Sequence, residues 1–168
     1  MKKLAFMIAL FASTVAWAQE EPVADTEAAI RDGFKILPEP GDQKGTRERQ
    51  SVLEEFVTPL GKSVGAKPPY EFSFVLLKGI TDNGLSTLFL RPRIPSYDPD
   101  HSTAGGPLLV YTFETGGKWT RQIAAGAFNF ALRKHGSSQD IALIREHSYR
   151  LFRWDGKRFV EMKHKASR

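Results

Sequence analysis

From Tyr70 onward the apolar residues come in short runs broken by Gly, Asn, Asp and Pro, which is the spacing of strands and turns. Tyr70, Phe72 and Phe74 alternate with other residues and share one face of an expected strand. Thr81-Asp82-Asn83-Gly84 marks a turn, and Leu85 to Leu90 reads as a mostly apolar strand ended by Arg91-Pro92-Arg93-Ile94-Pro95. Arg91 to Pro107 is the longest insertion without a period of its own. Leu108 to Glu114 and Lys118 to Ile123 predict a hairpin over Thr115-Gly116-Gly117, where glycine permits the positive φ of a tight turn. Phe128 to Leu132 alternates again, and Lys134 to Asp140 is a polar turn. Ile141 to Arg145 reads as a short buried strand. His147 to Trp154 then pairs with Lys157 to Lys163 over Asp155-Gly156.

Before Tyr70 the pattern is helical or absent. Asp25-Thr26 caps a short helix through Ile30, stopped by Gly33. Phe34, Ile36 and Leu37 form a small apolar group, a strand or an anchor laid on the main body, before the break at Pro38 to Gly41. Gly41 to Gln50 reads as a loop. Ser51 and Glu54 have the spacing of a capping box, in which each side chain bonds the other residue's backbone N–H. Leu53, Phe56, Val57 and Leu60 then share one helical face, and Pro59 and Gly61 end that helix early. So short a helix does not persist alone in water, so the β body is its expected cover. Gly61 to Pro69 reads as a linker.

The expected fold is therefore mainly β: two related antiparallel units, 70–127 and 128–163, with short N-terminal helices packed on them. Both units run in the same order, with a Phe-x-Phe strand, a glycine turn, an apolar strand and a hairpin closed by Gly-Lys. Phe72 and Phe74 lie 56 residues before Phe128 and Phe130, the kind of spacing at which sheet repeats recur.

Gly136-Ser137-Ser138-Gln139-Asp140-Ile141-Ala142-Leu143-Ile144 and the hairpin Tyr149 to Phe159, with its Trp154-Asp155-Gly156 turn, resemble FG-GAP or VCBS-type repeats. These are the four-stranded blades of some extracellular β-propellers. Thr81 to Gly84 is similar to a remnant of the same family's acidic loop. The resemblance covers about half the chain and implies blade-like meanders. Two blades do not close a propeller, which takes about four or more. Face-to-face packing, a barrel-like sandwich or an oligomer follows instead. In the family the acidic loop holds calcium, which takes about six to eight oxygen ligands. Ser137, Ser138 and Asp140 in one unit, and Asp82 and Asn83 in the other, fall short of that set, so no cofactor is expected.

Composition adds a location. Lys2 and Lys3, an uncharged run from Leu4 to Val15 and Ala16-Trp17-Ala18 together have the form of a secretory signal peptide cut before Gln19. The run is shorter than the roughly 20 residues of a membrane span. The chain has no cysteine, hence no disulfide, thiolate or lipid attachment at a leading cysteine. Export without disulfides points to a bacterial periplasm or to release. Removing residues 1 to 18 takes away two lysines and no acid, lowering the formal net charge from +5 to +3. That is too mild for nucleic acid. The charge is uneven: residues 19 to 42 hold seven acids and two bases, while 145 to 168 hold eight bases and three acids. The basic end suits an acidic envelope protein or an anionic glycan.

No nucleophile, metal or phosphate motif is present, which favours a non-enzymatic binding protein. Asp98, Asp100 and His101 form the only compact set of metal-ligand types. Arg150, Arg153, Trp154, Lys157 and Arg158 are the candidates for partner binding, being basic residues interleaved with aromatics. Alternation places Arg150, Phe152 and Trp154 on one side and Tyr149, Leu151 and Arg153 on the other, so both faces are mixed. Two other readings remain at this level. One is an envelope hydrolase gathering Asp98, Asp100 and His101 or another histidine beside an acid. The other is an inhibitor or immunity-type protein that uses the 91–107 loop.

Overall fold

The computed structural model describes residues 26–37, 46–98, 105–146 and 148–163. The expected signal segment, Asp25, the Pro38 to Gly41 break, Asp100, His101, His147 and the basic tail after Lys163 lie outside those residues. In chain order the elements begin with helix α1 (Thr26–Arg31) and strand β1 (Lys35–Ile36). Helix α2 (Arg47–Val52), a π-helical turn (Leu53–Val57) and α3 (Thr58–Ser63) follow without a break. Then come β2 (Glu71–Leu77), β3 (Thr87–Arg93), β4 (Gly106–Phe113), β5 (Trp119–Ala127), β6 (Asn129–His135), β7 (Ser138–Ile144), β8 (Tyr149–Trp154) and β9 (Phe159–Met162). The fold is mainly β. One antiparallel sheet has the order β2-β3-β4-β5, and the other β1-β6-β7-β8-β9.

The sheets share a core. Phe89, Leu108, Val110, Ile123 and Ala125 of the first face Phe130, Leu132, Ile141, Leu143, Phe152 and Trp154 of the second. Phe89 and Phe130 stack across the interface with ring centroids 4.4 Å apart and planes 7° from parallel. Each outer face is covered too. Val52, Phe56 and Val57 of the helical segment lie on Phe72, Phe74, Leu88, Leu90 and Tyr111. Ala29 and Phe34 lie on Ala131, Ala142, Ile144 and Tyr149. The result is a helix–sheet–sheet–helix stack. It explains why Ile141 to Ile144 of β7 and Leu88 to Leu90 of β3 are apolar on both faces rather than alternating, as strands buried on both sides are.

The two meanders stack head to tail. With a strand drawn pointing up and a side chain toward the viewer, L-chirality turns that residue's N–H and C=O to the right. Phe113 N–H donates to Ser86 C=O at 2.9 Å, so Leu88 and Leu90 bond toward β4 while Thr87 and Phe89 bond toward β2. Their partners Leu77 and Val75 face the shared core and bond toward β3. Leu37 N–H donates to Phe130 C=O at 3.4 Å, so the core-facing Phe130 and Leu132 bond toward β1, away from β7. Seen from the core, the first meander grows to the right of its first strand and the second to the left. The contact is therefore heterologous, not two-fold. Phe74 under the helix and Phe130 in the core lie on the same topological face, as their 56-residue spacing expects.

Several local expectations are corrected. The helix begins at Arg47, inside the expected loop, and its cap is Thr46, whose Oγ1 accepts from Arg49 N–H at 3.1 Å. Ser51 sits within the helix and its hydroxyl donates to Arg47 C=O at 3.2 Å, while Glu54 accepts from Gln50. Pro59 does not end the helix. A proline lacks the N–H that an α-turn requires and clashes with the carbonyl four residues back, but the widened turn just before it relieves both. Gly61 does not end it either. A side chain there would meet the Tyr70 ring at 2.4 Å, so glycine admits the tyrosine, whose hydroxyl donates to Ala66 C=O.

Strand β3 also runs past Leu90 through Pro92 to Arg93. Pairing with β4 stops at Leu90, and Pro92 turns its missing N–H to that open side. The last hairpin closes over four residues, Asp155 to Arg158, with Trp154 paired to Phe159.

Candidate binding groove

The five basic and aromatic candidates of the last hairpin go to different places. Trp154 is buried, and its Nε1–H donates to Asp82 Oδ1 at 2.7 Å, tying the second unit to the turn of the first. Arg150 donates twice to Glu161, at 2.8 and 2.7 Å, with its guanidinium 5.3 Å from the Phe152 ring. Arg153 donates to both oxygens of Asp140, at 2.8 and 3.0 Å. Lys157 and Arg158 project from the hairpin tip. Asp155 shapes that tip, because its Oδ1 accepts the N–H groups of both Lys157 and Arg158, and these bonds hold its carboxyl below the usual range.

Asp140 is the centre of an unexpected buried cluster. Its side chain is fully buried, and Arg133 bonds it at 2.9 Å from the side opposite Arg153. Burial pushes its pKa up, but the hydrogen bonds from Arg153 and Arg133 outweigh this and the carboxyl sits below its ordinary value. Arg133 in turn lies 4.3 Å from the Phe34 ring and donates to Asp32 C=O at 2.9 Å. The residue that matched the end of a calcium loop therefore has both oxygens bound by guanidinium groups.

Beside Arg133 a groove of about 630 Å³ opens between β1, the end of β2 and the β6–β7 turn. Leu37, Leu77, Ile80 and Leu132 give it an aliphatic floor. Lys35, Lys78, Arg133 and Lys134 rim it, and among the described residues no acidic side chain lines it. The three lysines are exposed and make no ion pair among the described residues. Its far end is pinned where Gln139 N–H donates to Ile80 C=O at 2.9 Å and its side chain donates to Gly79 C=O. Three lysines gathered over an apolar floor, beside an Arg133 already paired with Asp140, create a potential that attracts anions.

Sequence reading missed these lysines because Lys35, Lys78 and Lys134 are far apart in the chain. One signal was available. Lys78 and Lys134 are separated by the same 56 residues as the Phe pairs, which puts a lysine at the end of the first strand of each unit.

Asp98 is exposed beyond β3, and Asp100 and His101 lie outside the described residues. Among the described residues no group of three or more His, Cys, Asp or Glu side chains is gathered. His135 is exposed at the end of β6, and the nearby Ser138 hydroxyl donates to its backbone carbonyl, not to its ring.

The 91–107 stretch is anchored at both ends. Arg91 donates to Ala127 C=O at 2.7 Å and to Phe128 C=O at 3.2 Å, clamping the link between the units. Gly105 passes so close that a Cβ there would lie 2.2 Å from the Ala127 carbonyl carbon. Near this end Arg121 interacts with Tyr97 and Tyr111, and burial pushes the Tyr111 phenol up to about 12 despite that arginine.

Among the described residues no helix is long and apolar enough to cross a membrane. Comparison of the chain with family models, with curated proteins and with solved structures gives no match.

Proposed function

We propose that this is an exported, periplasmic, non-enzymatic binding protein that holds an acidic envelope protein in the groove beside Arg133. The observation that carries the reading is the convergence of Lys35, Lys78, Arg133 and Lys134 on one opening that no acid among the described residues lines. Charge of one sign around a cleft speeds encounter with the opposite charge and fixes its register. The aliphatic floor favours a protein over a glycan, because among the described residues the groove offers no aromatic face for a sugar ring. The signal-like segment supports export, and the head-to-tail stacking of the meanders supports the resemblance to blade repeats.

The test is affinity capture from envelope extract at low salt, with tagged protein and a Lys78→Glu/Lys134→Glu variant run in parallel. Both lysines are exposed, so the variant is expected to melt like the parent. Capture of an acidic protein by the parent, lost in the variant and released by salt, supports the reading. Equal capture by both, or capture of glycan alone, overturns it. Export is checked separately by the mass of the periplasmic species, expected to begin at Gln19.

A further inference from the structure

We infer that the partner enters the groove as an extended acidic segment that adds a strand to the open edge of β2. This rests on the groove being the binding site and names what it binds. Strand β2 ends its sheet, with β3 on one side and, among the described residues, no strand on the other. The bonding parity established above turns the N–H and C=O of Phe72, Phe74 and Leu76 toward that free side.

Arg49 takes the carbonyl of Phe72 at 3.1 Å, closing the edge near the helix. Phe74 and Leu76 have no hydrogen bond on that side among the described residues. Leu76 is also 49% exposed, one of the few large apolar side chains left in solvent. An unpaired edge of this kind is a template for another strand, and proteins that do not use such edges usually cover or charge them against pairing.

The edge and the charges are adjacent. Leu77 and Lys78 line the groove directly after Leu76, and Lys35 and Lys134 face them from the other sheet. A strand laid there gains main-chain hydrogen bonds from β2. In that strand the side chains facing the other sheet meet the aliphatic floor together with Lys35 and Lys134, which share the face of Leu132, and the alternate ones lie on the Leu76 face beside Lys78. A segment alternating Glu with a β-branched residue satisfies both demands, and β-branching favours the extended form.

The probe is the peptide acetyl-(Glu-Val)4-amide, titrated into the purified protein by calorimetry, with amide hydrogen exchange read at Leu76. Binding is expected, with slowed exchange at Leu76 and an affinity about tenfold or more lower in Lys78→Glu/Lys134→Glu. The same peptide N-methylated at alternate residues keeps its charge but cannot pair on its methylated edge, so it is expected not to bind when both methylation registers are tried.

Equal binding of the methylated peptides, unchanged exchange at Leu76, or tighter binding of an alginate oligomer of equal charge overturns strand addition. Slow exchange at Leu76 before any peptide is added also overturns it, because the edge is then already occupied. Lysine-dependent capture of an envelope protein alongside a failed peptide titration leaves the groove in place and removes only the strand.

Discussion

At the scale of single residues, the strongest commitment in the molecule is Asp140. A carboxylate with no solvent contact is tolerated because two guanidinium groups bond it from opposite sides, while each arginine keeps about a third of its side chain exposed. Asp140→Asn leaves the shape and removes the charge. It is expected to lower stability by about 2–3 kcal/mol near neutral pH, measured by urea unfolding. The sign of the pH dependence follows from the lowered pKa. The stabilisation is fully present above the unfolded-state value, about 4, and is lost as pH falls through the lower folded-state value. The gap between variant and parent should therefore close at strongly acidic pH. Little of this was legible in the sequence. Asp140 reads as the end of an acidic loop and Arg153 as a surface charge, because nothing local reveals that β7 and β8 place them side by side. Trp154 was obscure for the same reason, its partner Asp82 being 72 residues away.

At the scale of elements, the β pattern was largely legible and the helical one was not. Strands announce themselves through alternation and through glycine turns, and their extents are corrected by only a few residues at either end. The helical segment hid its start and its end. Thr46 is as good a cap as Ser51, and choosing between them requires knowing where the apolar face begins to touch the sheet. Pro59 breaks an α-helix, so its survival in the middle of a helical run was not to be expected without the π-turn that accommodates it. The two candidate caps give opposite expectations under truncation. Thr46→Ala removes the acceptor for Arg49 N–H and is expected to cost about 1 kcal/mol. Ser51→Ala removes only a hydroxyl bonded back to Arg47 C=O, and is expected to be neutral or slightly stabilising. Urea midpoints of the two variants separate the assignments, and a larger loss at Ser51 contradicts the observed helix start.

At the scale of the whole molecule, the head-to-tail stack decides how the two units depend on each other. A heterologous contact leaves one face of each unit without a partner sheet, and here the helical segment closes one and α1 with Phe34 closes the other. Neither meander has a core of its own between its two faces, because the central core is shared. Among the described residues the polar links across it are few and specific: Trp154 to Asp82, Gln139 to Gly79 and Ile80, Phe159 N–H to Gln122 Oε1, and Arg91 to the carbonyls of Ala127 and Phe128. Unfolding is thus expected to be one cooperative transition, with tryptophan fluorescence and far-ultraviolet circular dichroism giving the same urea midpoint. The Trp154–Asp82 bond measures the coupling directly. Trp154→Phe also removes packing and Asp82→Ala also alters a turn, so neither variant alone isolates the bond. The double-mutant cycle does, and the expected coupling is about 1–2 kcal/mol, that of a hydrogen bond to a charged acceptor beside solvent. Additive variants, or two separate transitions, would mean that the units fold independently and merely touch.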